Sequence, residues 1–114
     1  MDRIIVAVDF DQCLIEDIPP MSKEYKLKPN AKKTINELSK DGFEFILNTC
    51  RYGWYYRSAV KFIKKEKLNI KTKRSKHKVK ADIYIDDCNI FCDMIDWYKI
   101  EKELVRRKRN VLYK

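Results

Sequence analysis

One apolar run near the amino terminus constrains the fold more than any other part of this 114-residue chain. Five consecutive apolar residues, Ile4 to Val8, are followed directly by Asp9 and, two positions later, by Asp11. An apolar run without polar alternation is typical of a strand that is covered on both faces, as in the middle of a parallel sheet. We therefore expect Asp9 and Asp11 at the carboxyl end of a central strand, where open α/β sheets form their ligand crevices.

The rest of the chain alternates helical and strand patterns, with apolar residues recurring at helical spacing between short apolar runs. The predicted elements are, in chain order, a strand at 3–8, an irregular proline-containing connection at 12–29, a helix at 30–41, a strand at 43–48, a helix at about 54–67, a brief edge strand at Ile70, a strand at 82–85 and a helix at roughly 93–107. This alternation predicts an α/β fold, a three-layer αβα sandwich around a mostly parallel, Rossmann-like sheet.

Right-handed crossovers place the carboxyl ends of all parallel strands at one edge of the sheet. Asp9, Asp11, Thr49, Asp86 and Asp87 follow the ends of three predicted strands, so they are expected to converge there. Carboxylates that lie close together repel one another unless a cation or a proton lies between them. Oxygen ligands of this kind suit Mg²⁺, and the sequence therefore predicts a magnesium site. For the first strand end alone, a turn stabilised by aspartate side chains is an equally good interpretation.

The order of these residues resembles the four motifs of the haloacid dehalogenase superfamily of phosphohydrolases, over about residues 3–98. Asp9-Phe10-Asp11 matches the first, D-x-D motif, and Thr49 at the end of a hydrophobic strand matches the second. A lysine ahead of the strand at 82–85 matches the third, and Asp86-Asp87 matches the acidic fourth. The resemblance implies a phosphatase with a Rossmann-like core.

By that resemblance, Asp9 is the nucleophile, which forms an aspartyl-phosphate, and Asp11 is the general acid and base. Thr49 holds the transferring phosphoryl group, and Lys78 offsets the negative charge of the phosphate and the nucleophile. Phosphoryl transfer depends mainly on positioning and on compensation of negative charge, which this set of residues would supply.

The resemblance also implies which residues bind the metal and the substrate. Mg²⁺ would be held by a carboxylate oxygen of Asp9, the backbone carbonyl of Asp11, and Asp86 with Asp87. The substrate phosphate would be bound by Thr49, Cys50 and Arg51.

Two features depart from the family pattern. The residues after the second aspartate are Gln12-Cys13, where Gly-Thr is common, so this turn is expected to differ. Three lysines, Lys76, Lys78 and Lys80, precede the strand at suitable distances, and Lys78 is preferred because 78–82 resembles a pattern common in compact relatives.

The intervals between the motifs contain only core elements, so the chain is interpreted as one capless domain, 1–114. An open site of this kind suits a phosphate on a macromolecule or a small substrate closed in by a partner subunit. The excess of 26 Lys and Arg over 17 Asp and Glu, a net charge of +9, favours a polyanionic partner such as a nucleotide or a nucleic-acid end. Arg51, Arg57 and 71–80 would attract a second phosphate, and Tyr52, Trp54 and Tyr55 could stack a base. A merely solvated basic surface is the alternative.

Other classes of protein fit the sequence less well. No apolar run is long enough for a membrane helix and the amino terminus lacks the apolar segment of a signal peptide, so a cytoplasmic protein with no membrane partner is predicted. The four cysteines are expected to be free thiols, and a single histidine argues against a structural zinc site. A catalytically silent relative that binds metal, phosphate or an anionic partner stays open as an alternative. A receiver domain would carry its phosphorylated aspartate on a later strand.

Overall fold

The apolar run that follows Arg3 forms the central strand of the sheet. In the computed structural model, which describes residues 3–19, 22, 24–72, 80–86 and 95–112, β1 spans Ile4–Val8 and pairs in parallel with β2, Phe43–Leu47, and with β4, Ile83–Ile85. The short strand β3, Ile70–Lys71, extends the sheet beyond β2, so the strand order is β3-β2-β1-β4. The predicted α/β class with a Rossmann-like sheet is confirmed, and the four strands of the described residues are all parallel.

Within the described residues, three helices flank this sheet: α1, Ala31–Ser39; α2, Gly53–Lys65; and α3, Trp97–Leu112. α1 ends at Ser39, two residues before the predicted limit at 41, and Gly42 has a φ of +96°, which favours glycine and lets the chain turn into β2. None of the described helices is long and apolar enough to cross a bilayer.

The boundaries of α3 differ from the prediction. Residues 93 and 94 lie outside the described part of the chain, but residues 95 and 96 are not helical, and the helix begins at Trp97. Asp96 explains this start, because its Oδ1 accepts the N–H of Tyr98 at 2.9 Å, as a helix-capping side chain does. At the other end the helix continues past the predicted limit at Arg107 to Leu112.

The core lies against one face of the sheet. Alternate strand residues, among them Val6, Val8 and Phe45, are buried on this face, and all three helices contribute to the same core. On β2 to β4, the residues that alternate with them lie on the opposite face of the sheet and are more exposed. On that face, Lys71 Nζ lies 2.7 Å from a carboxylate oxygen of Glu44. The buried core therefore fixes which strand residues face the helices, and with it the register of the sheet.

α3 is held to the start of α1 by a polar cluster. A carboxylate oxygen of Glu101 accepts hydrogen bonds from the Asn30 side-chain amide at 2.7 Å and from the Thr34 hydroxyl at 3.0 Å. Lys33 Nζ lies 3.7 Å from the other oxygen of Glu101. The hydrogen bond from Asn30, with smaller contributions from Thr34 and Lys33, outweighs the opposing effect of burial and lowers the pKa of Glu101.

The two ends of the connection between β1 and α1 are hydrogen-bonded to each other. Ile15 and Leu27 form an isolated antiparallel bridge, in which the N–H of Glu16 donates to the carbonyl of Lys26 at 2.8 Å and the N–H of Lys28 to that of Leu14 at 3.0 Å. The two ends of this connection are therefore paired next to the turn that follows β1.

Candidate active site

The register of the sheet brings three predicted site residues to one edge. Val8, the last residue of β1, pairs with Leu47 of β2 and with Ile85 of β4. Asp9 follows β1, Thr49 lies two residues beyond β2 and Asp86 follows β4, so all three lie at the carboxyl ends of adjacent strands. The N–H of Asp9 donates to the carbonyl of Ile85 at 2.9 Å, which continues the pairing up to these residues.

Asp9 is half-buried and begins a wide turn, Phe10–Leu14. Its Oδ1 accepts the N–H of Phe10 at 2.7 Å, and the turn closes where the N–H of Ile15 donates to the carbonyl of Phe10 at 3.2 Å. Gln12 has a φ of 58°, in the left-handed region. Glycine adopts this conformation most readily, and here it is adopted by a glutamine, at the position where the resemblance led us to expect glycine.

Asp11, within this turn, is paired with Arg51. The Nε of Arg51 donates to Oδ2 of Asp11 at 2.7 Å, and its Nη2 donates to Oδ1 at 2.5 Å. The Arg51 side chain is 2% exposed, whereas that of Asp11 is 38% exposed. A bidentate pair of this kind fixes both the position and the orientation of the carboxylate.

Aromatic rings surround the guanidinium of Arg51. Its Cζ lies 3.6 Å from the ring centre of Tyr55, 4.6 Å from that of Phe10 and 5.2 Å from that of Tyr25, distances at which a cation is attracted to a ring. Nη1 donates to the Tyr25 hydroxyl at 2.9 Å and to the carbonyl of Tyr55 at 3.3 Å. Burial alone would lower the pKa of Arg51, but the hydrogen bonds to Asp11 and Tyr25 outweigh it and raise that pKa above its ordinary value.

Arg51 was predicted to bind the substrate phosphate, and the structure directs its guanidinium inward, to Asp11. Tyr25, which joins the same cluster and also shares a 2.7 Å hydrogen bond with Ser58, was not predicted at all. No sequence signal connects these residues, because Asp11 and Arg51 are 40 positions apart and Tyr25 lies in an irregular connection. The substrate-binding role of Arg51 stays a prediction, and it would require the pair to open.

The loop after β2 presents Thr49 and Cys50. The Thr49 hydroxyl oxygen accepts the N–H of Arg51 at 3.2 Å, which holds the loop in place and leaves the hydroxyl proton able to donate elsewhere. Cys50 is exposed, while Cys13 is buried, with its thiol 3.3 Å from the carbonyl of Ile85. Of the two cysteines described, Cys50 is therefore the one that a substrate or reagent can reach.

The predicted magnesium site is only partly described. Lys76, Lys78 and Asp87 lie outside the described residues, while Lys80 is described and exposed. Within 3–19, 22, 24–72, 80–86 and 95–112, no group of three His, Cys, Asp or Glu side chains is placed to hold an ion. Asp9 and Asp86 offer the hard oxygen ligands that Mg²⁺ prefers, so the chemistry of the donors fits the ion. The magnesium site, with Asp9, the backbone carbonyl of Asp11, Asp86 and Asp87 as its ligands, remains a prediction.

Comparison with known proteins gives a structural relative. The fold matches that of a conserved protein coded by a locus of Bacteroides thetaiotaomicron, with a TM-score of 0.74, 26% sequence identity and coverage of 99% of each chain. No family model matches the sequence, and the search of curated proteins gave no match. This chain is therefore similar over its full length to a protein with the same parallel α/β architecture.

Proposed function

We propose that this protein is a magnesium-dependent phosphomonoester hydrolase that acts through an aspartyl-phosphate on Asp9. One observation carries the proposal: Asp9, Thr49 and Asp86 follow three adjacent parallel strands in register. A nucleophilic carboxylate, a hydroxyl donor and a second carboxylate at one edge of a sheet are the groups that this reaction requires. The proposal extends the family resemblance of the sequence to a mechanism for these residues.

The reaction proceeds in two steps at phosphorus. The Asp9 carboxylate attacks the phosphorus atom, the bond to the leaving oxygen breaks, and Asp11 gives a proton to that oxygen. Asp11 then takes a proton from water, which attacks phosphorus and releases inorganic phosphate and the free Asp9 carboxylate. The Thr49 hydroxyl donates a hydrogen bond to a phosphoryl oxygen in both steps. A bound magnesium ion supplies positive charge that offsets repulsion between the carboxylate and the phosphate.

The pair between Asp11 and Arg51 adds a requirement to this cycle. Both oxygens of Asp11 accept hydrogen bonds from Arg51, so the carboxylate must leave the guanidinium and take up a proton from solvent before it can protonate the leaving oxygen. The exposed side of Asp11 gives it room to move, since 38% of its side chain is accessible to solvent. We infer that Arg51 holds the resting position of Asp11 and that substrate binding releases it.

Phosphate release from a panel of nucleotides, sugar phosphates, phosphopeptides and phosphorylated oligonucleotides, with and without magnesium, tests the proposal. Asp9→Asn should abolish turnover and leave the fold intact, because an asparagine oxygen still accepts the N–H of Phe10. Circular dichroism and urea unfolding serve as the control for folding. Full activity in Asp9→Asn, or wild-type activity that is unaffected by a chelator, would contradict the mechanism.

A second function is favoured by one observation. The closed pair between Asp11 and Arg51 also suits a catalytically silent protein that binds a metal or an anionic partner at this edge. Titration with magnesium and inorganic phosphate separates the two functions. Binding of both without turnover on any substrate of the panel would support the silent protein, whereas magnesium-dependent turnover that is lost in Asp9→Asn would exclude it.

A further inference from the structure

The exposed face of α2 combines aromatic rings with positive charge. Tyr52, immediately before the helix, is 77% exposed, and Trp54 in its first turn is 43% exposed. Arg57, Lys61 and Lys65 are exposed further along, and at 100° per residue these three residues and Trp54 share one side of the helix. These residues form a row along α2, which begins with the two aromatic side chains and continues with the three cations.

The cations of this face differ in their ion pairing from Arg106 and Arg107 of α3. α2 contains no acidic residue, and within the described part of the chain no ion pair engages Arg57, Lys61 or Lys65. On α3, by contrast, Arg106 and Arg107 are both paired with Glu103. The excess positive charge on α2 is thus available to a partner.

The row is oriented with respect to the candidate site. α2 begins two residues after Arg51, at the edge of the sheet that carries Thr49, and runs away from it. A rise of about 1.5 Å per residue places position 65 roughly 16 Å from position 54 along the helix. A groove of about 230 Å³ lies beside the row, lined by Tyr25, Ser58, Lys61, Phe62 and Lys65.

We propose that the exposed face of α2 binds single-stranded nucleic acid, with bases stacked on Tyr52 and Trp54 and the phosphate backbone along Arg57, Lys61 and Lys65. Stacking on aromatic rings next to a basic track is the general way in which proteins hold single strands without reading their sequence. In that orientation, one end of the bound nucleic acid lies toward Asp9 and Thr49. A further role of this face of α2, the presentation of a terminal phosphate for hydrolysis, rests on the proposed function.

Tryptophan fluorescence tests the stacking directly, because the chain has two tryptophans and the other, Trp97, is 1% exposed. An oligothymidylate of about ten nucleotides without a terminal phosphate should quench the emission of Trp54, and Trp54→Leu should remove the quenching and weaken binding roughly five- to hundredfold. Tyr98→Ala is the matched control, since Tyr98 is 58% exposed on α3, and it should bind as the wild type does. An equal loss of affinity in Tyr98→Ala and Trp54→Leu would overturn the proposal.

The basic track is tested by the dependence of binding on salt between about 50 and 200 mM. Lys61→Gln combined with Lys65→Gln should reduce the slope of log K against log salt by roughly 1.4, as expected for two lost phosphate contacts on a single strand. Lys32→Gln combined with Lys40→Gln removes the same charge from exposed positions of α1 and its end and should leave the slope unchanged. Equal changes in both variants would show general charge attraction and overturn the proposal.

These binding measurements test the nucleic-acid surface independently of the proposed hydrolysis. The wild type should bind the unphosphorylated oligothymidylate whether or not it releases phosphate from any substrate. Binding without turnover would sustain the nucleic-acid surface and contradict the proposed hydrolase. Turnover without measurable oligothymidylate binding, or binding no tighter than that of a thymidine mononucleotide, would contradict the surface alone.

Discussion

Arg51 holds Asp11 by two hydrogen bonds, of 2.7 and 2.5 Å, although the two residues are 40 positions apart in the chain. The partners are unequal, because the arginine side chain is 2% exposed and the aspartate side chain 38%. Water can therefore replace the arginine at Asp11 far more easily than it can replace the aspartate at Arg51. This difference in exposure predicts that the free energy of unfolding falls by different amounts when one or the other partner is replaced.

Asp11→Ala should lower the free energy of unfolding by roughly 1–3 kcal/mol, because it leaves the buried guanidinium without its anion. Arg51→Met should cost less, since the flexible apolar side chain can occupy the space among the aromatic rings and the orphaned carboxylate can reach water. Urea unfolding of both variants at neutral pH makes the comparison. A loss in Arg51→Met equal to or larger than that in Asp11→Ala would show that the rings, and not the pair, dominate the energy of the cluster.

Asp86→Asn should raise the magnesium concentration needed for half-maximal phosphatase activity by at least about tenfold, since it removes a negatively charged ligand. Asp82→Asn is the matched control, because Asp82 lies at the opposite end of β4, where its Oδ2 accepts the N–H of Ile5 at 2.8 Å. Activity titrated with magnesium after treatment with a chelator gives both values. An identical magnesium requirement in the two variants would remove Asp86 from the metal site.

Lys78→Ala should reduce phosphate release by about a hundredfold, if this lysine compensates charge that develops in the transition state. Lys76→Ala and Lys80→Ala should have small effects, and Lys80 is exposed in the described part of the chain. The kcat and KM of the three variants on one substrate decide between them. Equal and mild effects would assign all three lysines to a solvated basic segment.

Glu101→Gln should destabilise the protein at neutral pH and have progressively less effect in acid. The pKa of Glu101 is lowered in the folded state from its ordinary 4.5, first by the hydrogen bond from Asn30. A lowered folded-state pKa contributes stability above the ordinary value and loses it as pH falls through the folded value. The difference in unfolding free energy between wild type and variant should thus be constant above about pH 5 and shrink below it. Glu37→Gln, at an exposed position of α1, removes the same charge and serves as the matched control.

The sequence predicted the parts of the fold that depend on short-range patterns and general rules of topology. The apolar strand before Asp9, the strand that begins at Phe43 and the brief strand at Ile70 all lie where periodicity and composition placed them. Because parallel strands end at one edge, the proximity of the Asp9, Thr49 and Asp86 positions also followed from the strand predictions. The start of α3 was missed, although Asp96, a good capping residue immediately before Trp97, was a usable signal.

The interaction of Asp11 with Arg51 could not be predicted in this way. Strand and helix patterns specify on which face a side chain lies, but the partner of a long side chain depends on rotamers and on packing between distant segments. The rings of Phe10, Tyr25 and Tyr55 come from three separate segments and surround the guanidinium only after the fold is complete. An arginine after Thr49 therefore looked like a ligand for phosphate, and the aromatic cluster gave no periodic signal.

Because the two ends of the connection between β1 and α1 are paired through Ile15 and Leu27, this connection can be lengthened without disturbing the sheet. Glu16 and Lys26 leave the bridge side by side, so polypeptide inserted between them would start and finish at neighbouring points without pulling on β1. Doubling the length of such a loop costs only about 0.6 kcal/mol in closure entropy. A folded insert there would stand at the same end of the sheet as Asp9. The architecture could thus acquire a cover for this end of the sheet by a single insertion, with its strands and core unchanged.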